Sequence, residues 1–200
     1  MDSIDWNKRF SGQDYFYGTD PNVFVAEMAS RIPAGPVLCL AEGEGRNAVH
    51  LATLGHAVTA VDQSEVGLAK AQRLAASRHV RIETRAVDLN DYRIPPESWA
   101  GVVATFAHLP PALRRRIHAE VVAGLLPGGV FLLEAYTPAQ LAFDTGGPKD
   151  PVLLMTLTGL RDELKGLELE IGREIERDVI EGTGHRGRAA VVQVVGRRPR

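Results

Sequence analysis

Two strand-like segments near the C-terminus, "LELEIGREIERDV" (residues 167–179) and "AAVVQVVGR" (189–197), are separated only by the glycine-rich "EGTGHRGR". That connection is too short to hold a crossover helix, so the two strands must run antiparallel. In the first of them Leu167, Leu169, Ile171, Ile175 and Val179 fall on one side, the period of a strand with one buried face. Any sheet this chain builds is therefore closed by an antiparallel hairpin.

The preceding residues have a different rhythm. Short apolar runs, "PVLCLA" (36–41), "AVTAVD" (57–62), "VRIETRAVD" (80–88), "GVVATFAHL" (101–109) and "VFLLEAY" (130–136), alternate with segments of helical spacing. "GRNAVHLATLG" places Ala48, Leu51 and Ala52 on one face and ends at Gly55. Ser64 is placed to cap a helix running to about Ser77, with Leu68, Ala71 and Leu74 at helical spacing. Pro111 opens another, carrying Leu113, Ile117 and Val121. Alternating strands and helices predict an α/β fold: a doubly wound, mostly parallel, Rossmann-like sheet of seven strands, closed by the C-terminal hairpin.

Two hundred residues with 44% hydrophobic content suit a single domain over residues 1–200, with 1–30 as an N-terminal lid or substrate segment. A net charge of −2 gives no long-range field to hold nucleic acid or an anionic membrane, so the expected partner is a small molecule. The single cysteine, Cys39, cannot form an intrachain disulfide, which points to a reducing, cytoplasmic setting. "MDSIDWNKRF" has no apolar signal core, no apolar run reaches the roughly 18 residues of a membrane span, and the scattered histidines predict no metal site.

In an open α/β sheet the ligand lies at the carboxyl ends of the strands. Those ends carry "AEGEG", Asp62, Asp88-Leu89 and "TFAH" (105–108). Asp62 follows Gly45 by 62 − 45 = 17 residues, close to the roughly 20 expected for an acid gripping ribose hydroxyls. Asp88 is placed to accept from an adenine amino group, with Leu89 and Ala107 sandwiching the base. A phosphate loop offers bare N–H groups, and Glu42 and Glu44 beside Gly43 and Gly45 would repel a pyrophosphate. They would attract a sulfonium and an ammonium, while the N–H groups after Gly45 can face a carboxylate.

With these residues in view, the chain resembles the class I S-adenosylmethionine-dependent methyltransferases, and within them the tellurite-resistance and thiopurine methyltransferase-like group. The resemblance lies in "WNKRFSGQDYFYGTDPNVFVAE", "VLCLAEGEGRNAVHLA", "VTAVDQS", "AVDLND", "LLPGGVFLLE", "TGGPKDP" and "EGTGHRGRAAVVQVVGRRP". It implies S-adenosyl-L-methionine as cofactor and S-adenosyl-L-homocysteine as product. It further implies Glu42, Gly43 and Gly45 at the methionine end, Asp62 on the ribose, Asp88 and Leu89 at the adenine, and Tyr17 and Gly18 near the cofactor. Ala41, Arg46, Asn47, Gln63, Ser64, Phe106 and Ala107, beside these motifs, complete the candidate cofactor contacts. The chain departs from the pattern where Cys39 replaces a frequent aspartate and Ala41 a usual glycine, so the turn is expected to begin without positive φ. Glu42 or Glu44 can substitute for the missing acid.

Other residues have plainer readings. Cys39 reads as a buried small hydrophobe, and arginines 114–116 as the solvated side of a helix. Phe10, Tyr15, Phe16 and Tyr17 read as packing or as a lid over the sulfonium, and "TGGPKDP" as an opposite pocket wall. His50, His56, His79 and His118 read as structural or surface residues. His185, with Arg186 and Arg188, falls in the hairpin connection, and His108 just beyond the fourth strand. These two histidines are the candidate catalytic bases. The expected reaction is in-line methyl transfer to a small acceptor, such as a thiol, selenol or metalloid oxyanion. The alternatives are methylation of an oxygen, nitrogen or carbon, a non-catalytic cofactor sensor, and an NAD-dependent oxidoreductase. The last is disfavoured by the missing third glycine and by the hairpin.

Overall fold

The computed structural model describes residues 4–200. Seven strands form one sheet: β1 (Pro36–Leu40), β2 (Ala57–Asp62), β3 (Glu83–Ala86), β4 (Trp99–Thr105), β5 (Leu125–Tyr136), β6 (Glu168–Glu181) and β7 (His185–Arg197). Their order is β3-β2-β1-β4-β5-β7-β6. β1 through β5 pair in parallel, and β7 enters antiparallel between β5 and β6. The sheet expected from the sequence is thus the one observed. The hairpin turn is tighter than "EGTGHRGR", because only residues 182–184 lie between the two strands. His185 therefore begins a strand instead of sitting in a loop.

Helices α1 (Trp6–Arg9), α2 (Val23–Met28), α3 (Arg46–Thr53), α4 (Glu65–Ser77), α5 (Pro111–Gly124) and α6 (Leu157–Glu163) surround the sheet. Ser64 caps α4 as its sequence position predicts, its hydroxyl accepting the Gly67 N–H at 3.0 Å. Alternation along β1 sends Val37 and Cys39 to one core and Leu38 and Leu40 to the other. The first core packs against α2, α3 and α4, the second against α5 and α6. Cys39 is fully buried, and its thiol is pushed well up by desolvation and then by the nearby Glu42 charge.

The arginines of α5 do not form a solvated face. Arg114 grips Glu163 of α6 through Nε and Nη2, and His118 Nδ1 lies 2.6 Å from the same carboxylate. Arg116 pairs with Glu120 at 2.6 Å and reaches the Leu89 carbonyl, leaving only Arg115 exposed. α6 follows an irregular stretch and was not legible as a helix, so its docking charges had no visible partner in the sequence. Among the described residues, no helix is long and apolar enough to cross a membrane.

Candidate active site

β1 ends at Leu40 and turns into α3 through a loop whose backbone is left-handed at Ala41 (φ +49°), Gly43 (+61°) and Gly45 (+89°). Ala41 thus adopts the positive φ that it was expected to avoid. For an L-residue this conformation costs roughly 1–2 kcal/mol. At Gly45 an added Cβ would lie 2.4 Å from the Ala71 Cβ, so the close approach of α4 by itself demands glycine.

The two loop glutamates do different work. Glu42 Oε1 accepts the N–H groups of Asn47 (2.9 Å) and Ala48 (2.8 Å) and so caps α3, whose N-cap Gly45 has no side chain to do this. The N–H groups expected to face a cofactor carboxylate are therefore already occupied. Desolvation raises the Glu42 carboxyl to about 7, although the Ala48 N–H and Arg46 favour its ionised form. Glu44 points toward the N-terminal segment. Its Oε2 accepts the Phe16 N–H at 2.7 Å, and its Oε1 lies 2.6 Å from Lys70 Nζ of α4.

Asp62, ending β2, binds the loop from the other side: Oδ2 accepts the Gly43 N–H and Oδ1 the Ser64 N–H, both at 2.8 Å. Burial raises its pKa, and these N–H bonds oppose the rise. The Ser64 hydroxyl donates to Asn7 Oδ1 at 2.7 Å, fastening α1 over the start of α4, while the neighbouring Gln63 is exposed. Asp88 is exposed and closes a turn by accepting from the Asn90 backbone and side chain. Leu89 and Ala107 line one apolar cavity together with Leu40 and Met155.

Between α3 and the hairpin lies a buried polar network invisible in the sequence. Arg177 clasps Glu134 with two hydrogen bonds (2.8 and 2.6 Å), and Gln193 donates to the same carboxylate at 2.7 Å. Asn22 Nδ2 bridges Glu134 and Glu181 at 2.5 and 2.9 Å, and its backbone N–H donates to Asn47 Oδ1 at 2.9 Å. Asn47 Nδ2 continues the chain to Thr105 at 2.9 Å. Arg46 Nη2 pairs with Glu181 Oε2 at 2.7 Å. Desolvation would raise the Glu181 pKa, but the His185 and Arg46 contacts outweigh it and hold the group down at about 2. Two carboxylates and two guanidiniums thus balance one another, which buried charges require. The one available signal was the lone acid in the apolar run "VFLLEAY".

His185 sits on this network, its Nδ1 lying 3.3 Å from Glu181 Oε2, and its ring is walled by Tyr17, Phe106 and Tyr136 at centroid separations of 4.6, 4.6 and 5.4 Å. With a proton on Nδ1 directed at Glu181, Nε2 is an acceptor, and among the described residues it makes no hydrogen bond. Desolvation lowers the His185 pKa from 6.5, against the pull of Glu181. His108 differs: Nδ1 contacts the Leu153 carbonyl at 3.0 Å, and Nε2 accepts the Tyr136 N–H at 3.3 Å. Both its nitrogens are committed, and burial lowers its pKa to about 4.

The N-terminal segment covers the cluster. Phe10 is buried, and its ring is 3.1 Å from where a Gly43 Cβ would project. The hairpin turn holds the segment too, with the Thr183 N–H donating to the Phe16 carbonyl at 2.9 Å. Gly18 has φ +75°, and a Cβ there would stand 3.4 Å from the Gly182 nitrogen. Arg186 and Arg188 are exposed.

The donor set fits a cationic cofactor with a carboxylate tail. Acid groups surround the loop, and among the described residues buried Arg46 Nη1 has no hydrogen-bond partner. Among the described residues no group of three or more His, Cys, Asp or Glu is arranged to hold a metal ion.

Residues 37–129, which include the glycine loop, Asp62 and Asp88, match a family described as a methyltransferase domain. None of the curated proteins compared matches the chain. Among solved structures, TehB from Haemophilus influenzae aligns with a TM-score of 0.74 at 23% identity, covering 96% of this chain and 67% of that one. A structure described as the conversion of a disulfide bond into a thioacetal group during echinomycin biosynthesis aligns at 0.76 and 21% identity, covering 97% and 91%. N-methyltransferase NodS from Bradyrhizobium japonicum aligns at 0.66 and 15% identity, covering 90% and 99%. Residues 37–129 thus match a methyltransferase domain, and the sheet order and the structural neighbours show a Rossmann-like fold.

Proposed function

We propose that the protein methylates a small molecule through a soft nucleophile, and that it is a member of the tellurite-resistance and thiopurine methyltransferase-like group. The observation that carries this reading is the enclosure of His185, with its free Nε2, between aromatic rings beside the acidic loop. Residues 1–30 act as the cover; residues 1–3 lie outside the described part. The bonds of Phe16 to Glu44 and to the hairpin turn support that role.

The cofactor supplies an electrophilic methyl group on a sulfonium. The chain's residues supply position, exclusion of water and a proton acceptor. The loop from Ala41 to Asn47, with Tyr17 and Gly18, holds the methionine end. Asp62 with Gln63 and Ser64 holds the ribose, and Asp88, Leu89, Phe106 and Ala107 the adenine. Orientation contributes roughly 7–11 kcal/mol in such transfers, so no strong base is needed for a thiolate. Where the acceptor carries a proton, His185 Nε2 takes it. His108 has no nitrogen free for that task and holds the β5 backbone instead.

Release of S-adenosylhomocysteine across a panel of thiols, selenols and metalloid oxyanions tests the reading. It is abandoned if only amines or carbon acceptors are methylated. Asp62→Ala is expected to weaken cofactor affinity sharply; full affinity in that variant removes the ribose assignment.

A further inference from the structure

We propose that Glu181 is a positioning residue for the transfer: held at both oxygens by Arg46 and Asn22, it fixes the His185 proton on Nδ1 and reserves Nε2 as the base. The inference rests on the methyl-transfer reading above and adds the residue that makes its base usable. Glu181 and His185 are the last opposed pair of β6 and β7 before the turn at 182–184. Residues directly opposite in an antiparallel ladder project from the same face, so the hairpin itself delivers the carboxylate to the imidazole.

Both side chains are buried, with Glu181 Oε2 3.3 Å from His185 Nδ1. The carboxylate is pinned in turn: Arg46 Nη2 donates to Oε2 at 2.7 Å and Asn22 Nδ2 to Oε1 at 2.9 Å. The turn joining the pair is tightly seated, since a Cβ on Gly182 would stand 2.3 Å from the Phe16 carbonyl oxygen. The far edge of the imidazole rests on Gly146, where an added Cβ would lie 3.0 Å from Cδ2. Buried Gln140 fixes Gly146, donating to its carbonyl at 3.1 Å while accepting the Ala190 N–H at 2.9 Å. The ring is thus held on two sides, but only Glu181 reaches one of its nitrogens.

A neutral imidazole has one N–H and one lone pair, and the hydrogen bond at one nitrogen decides which stands at the other. Desolvation works against the Glu181 charge, yet the His185 and Arg46 contacts keep it ionised. An ionised carboxylate only accepts, so the proton stands on Nδ1 and the lone pair on Nε2. In the other tautomer Nε2 would carry the proton and could take none from an acceptor. When a thiol reacts, its S–H bond breaks, the electron pair stays on sulfur for the methyl carbon, and the proton bonds to Nε2. Glu181 steadies the imidazolium without taking a proton, and Nε2 later releases its own to water. Besides Glu181, the charges acting on the ring are Arg46 of α3 and Glu134 of β5, the latter paired with Arg177 of β6. Desolvation keeps the Tyr17 and Tyr136 phenols protonated, and burial keeps His108 neutral at pH ~7.

Long-range proton–nitrogen NMR of the full chain, labelled in its histidine nitrogens, reads both ring positions; His185 is assigned by the signals lost in His185→Gln. In the neutral form Nδ1 should give the signal of a protonated nitrogen and Nε2 that of a bare one. Glu181→Gln removes the charge and keeps the size, so it should lower the His185 titration midpoint by at least about one pH unit. A packing role alone would not move that midpoint. A proton on Nε2 in the unaltered chain, or an unmoved midpoint in Glu181→Gln, overturns the proposal. Should Glu181→Gln fail to fold, the tautomer in the unaltered chain decides alone. The spectra need neither cofactor nor acceptor, so failure of the methyl-transfer reading, seen as no release of S-adenosylhomocysteine, is a separate result.

Discussion

Glu44 and Lys70 form a buried ion pair, Oε1 to Nζ at 2.6 Å, with their side chains 3% and 2% exposed. Glu44 stands between the two glycines of the cofactor loop, and its second oxygen accepts the Phe16 N–H of the N-terminal cover. Lys70 also donates to the Asp14 carbonyl at 2.6 Å. One carboxylate thus joins loop, helix and cover, so the order of the cover and the geometry of the loop depend on each other.

Removing one partner of a buried pair leaves an uncompensated charge. Glu44→Gln is therefore expected to lower stability by about 3–5 kcal/mol. Combining it with Lys70→Met should recover part of that loss. Urea denaturation of the three variants measures this, and a single-variant loss below about 1 kcal/mol is incompatible with a closed latch.

Glu42 gives a pH signature. Its carboxyl is raised from 4.5 to about 7, so the folded state keeps a proton that the unfolded state has lost. The resulting penalty grows as pH rises from 4.5 to about 7 and is constant above, amounting to about 3 kcal/mol. Glu42→Gln should accordingly raise Tm at pH ~8 and change it little at pH ~5. Binding of the cationic cofactor should lower this pKa and release protons near neutrality. Calorimetry in buffers of different ionisation enthalpy would detect the release, and its persistence in Glu42→Gln would assign it elsewhere.

Ala41 holds φ +49° without glycine's freedom. Ala41→Gly relieves about 1–2 kcal/mol of backbone strain and loses about 0.4–1 kcal/mol to the looser unfolded chain. The expected net effect is a Tm rise of about 2 °C. A falling Tm would show that the alanine methyl packs too well to lose.

The two candidate bases should separate cleanly. His185→Gln is expected to lower turnover of a protonated acceptor roughly 10²–10⁴-fold, whereas His108→Gln should mainly lower stability. Since burial depresses the His185 pKa below 6.5, the unfolded chain takes up the proton first. The acid limb of kcat/KM should thus lie below pH 6.5, and His185's contribution to stability should be present above that pH and fade as pH falls below it. A limb above 6.5 that survives in His185→Gln would point to another group.

Much of the molecule was determined by the sequence alone. The hairpin, the strand–helix alternation and the Ser64 cap follow from periods and turn chemistry that act within a few residues. The acids at the strand ends, and with them the cofactor class, could be read for the same reason. What only the tertiary structure decided was the role of each charge. Asn22 meets Glu134 across 112 residues and Glu181 across 159, and Arg46 meets Glu181 across 135. No local pattern encodes such pairs, because a buried charge is satisfied by whichever partner the fold delivers. Folding likewise turned Glu42 into a helix cap and Glu44 into a latch, and it left His185, not His108, with a nitrogen to spare.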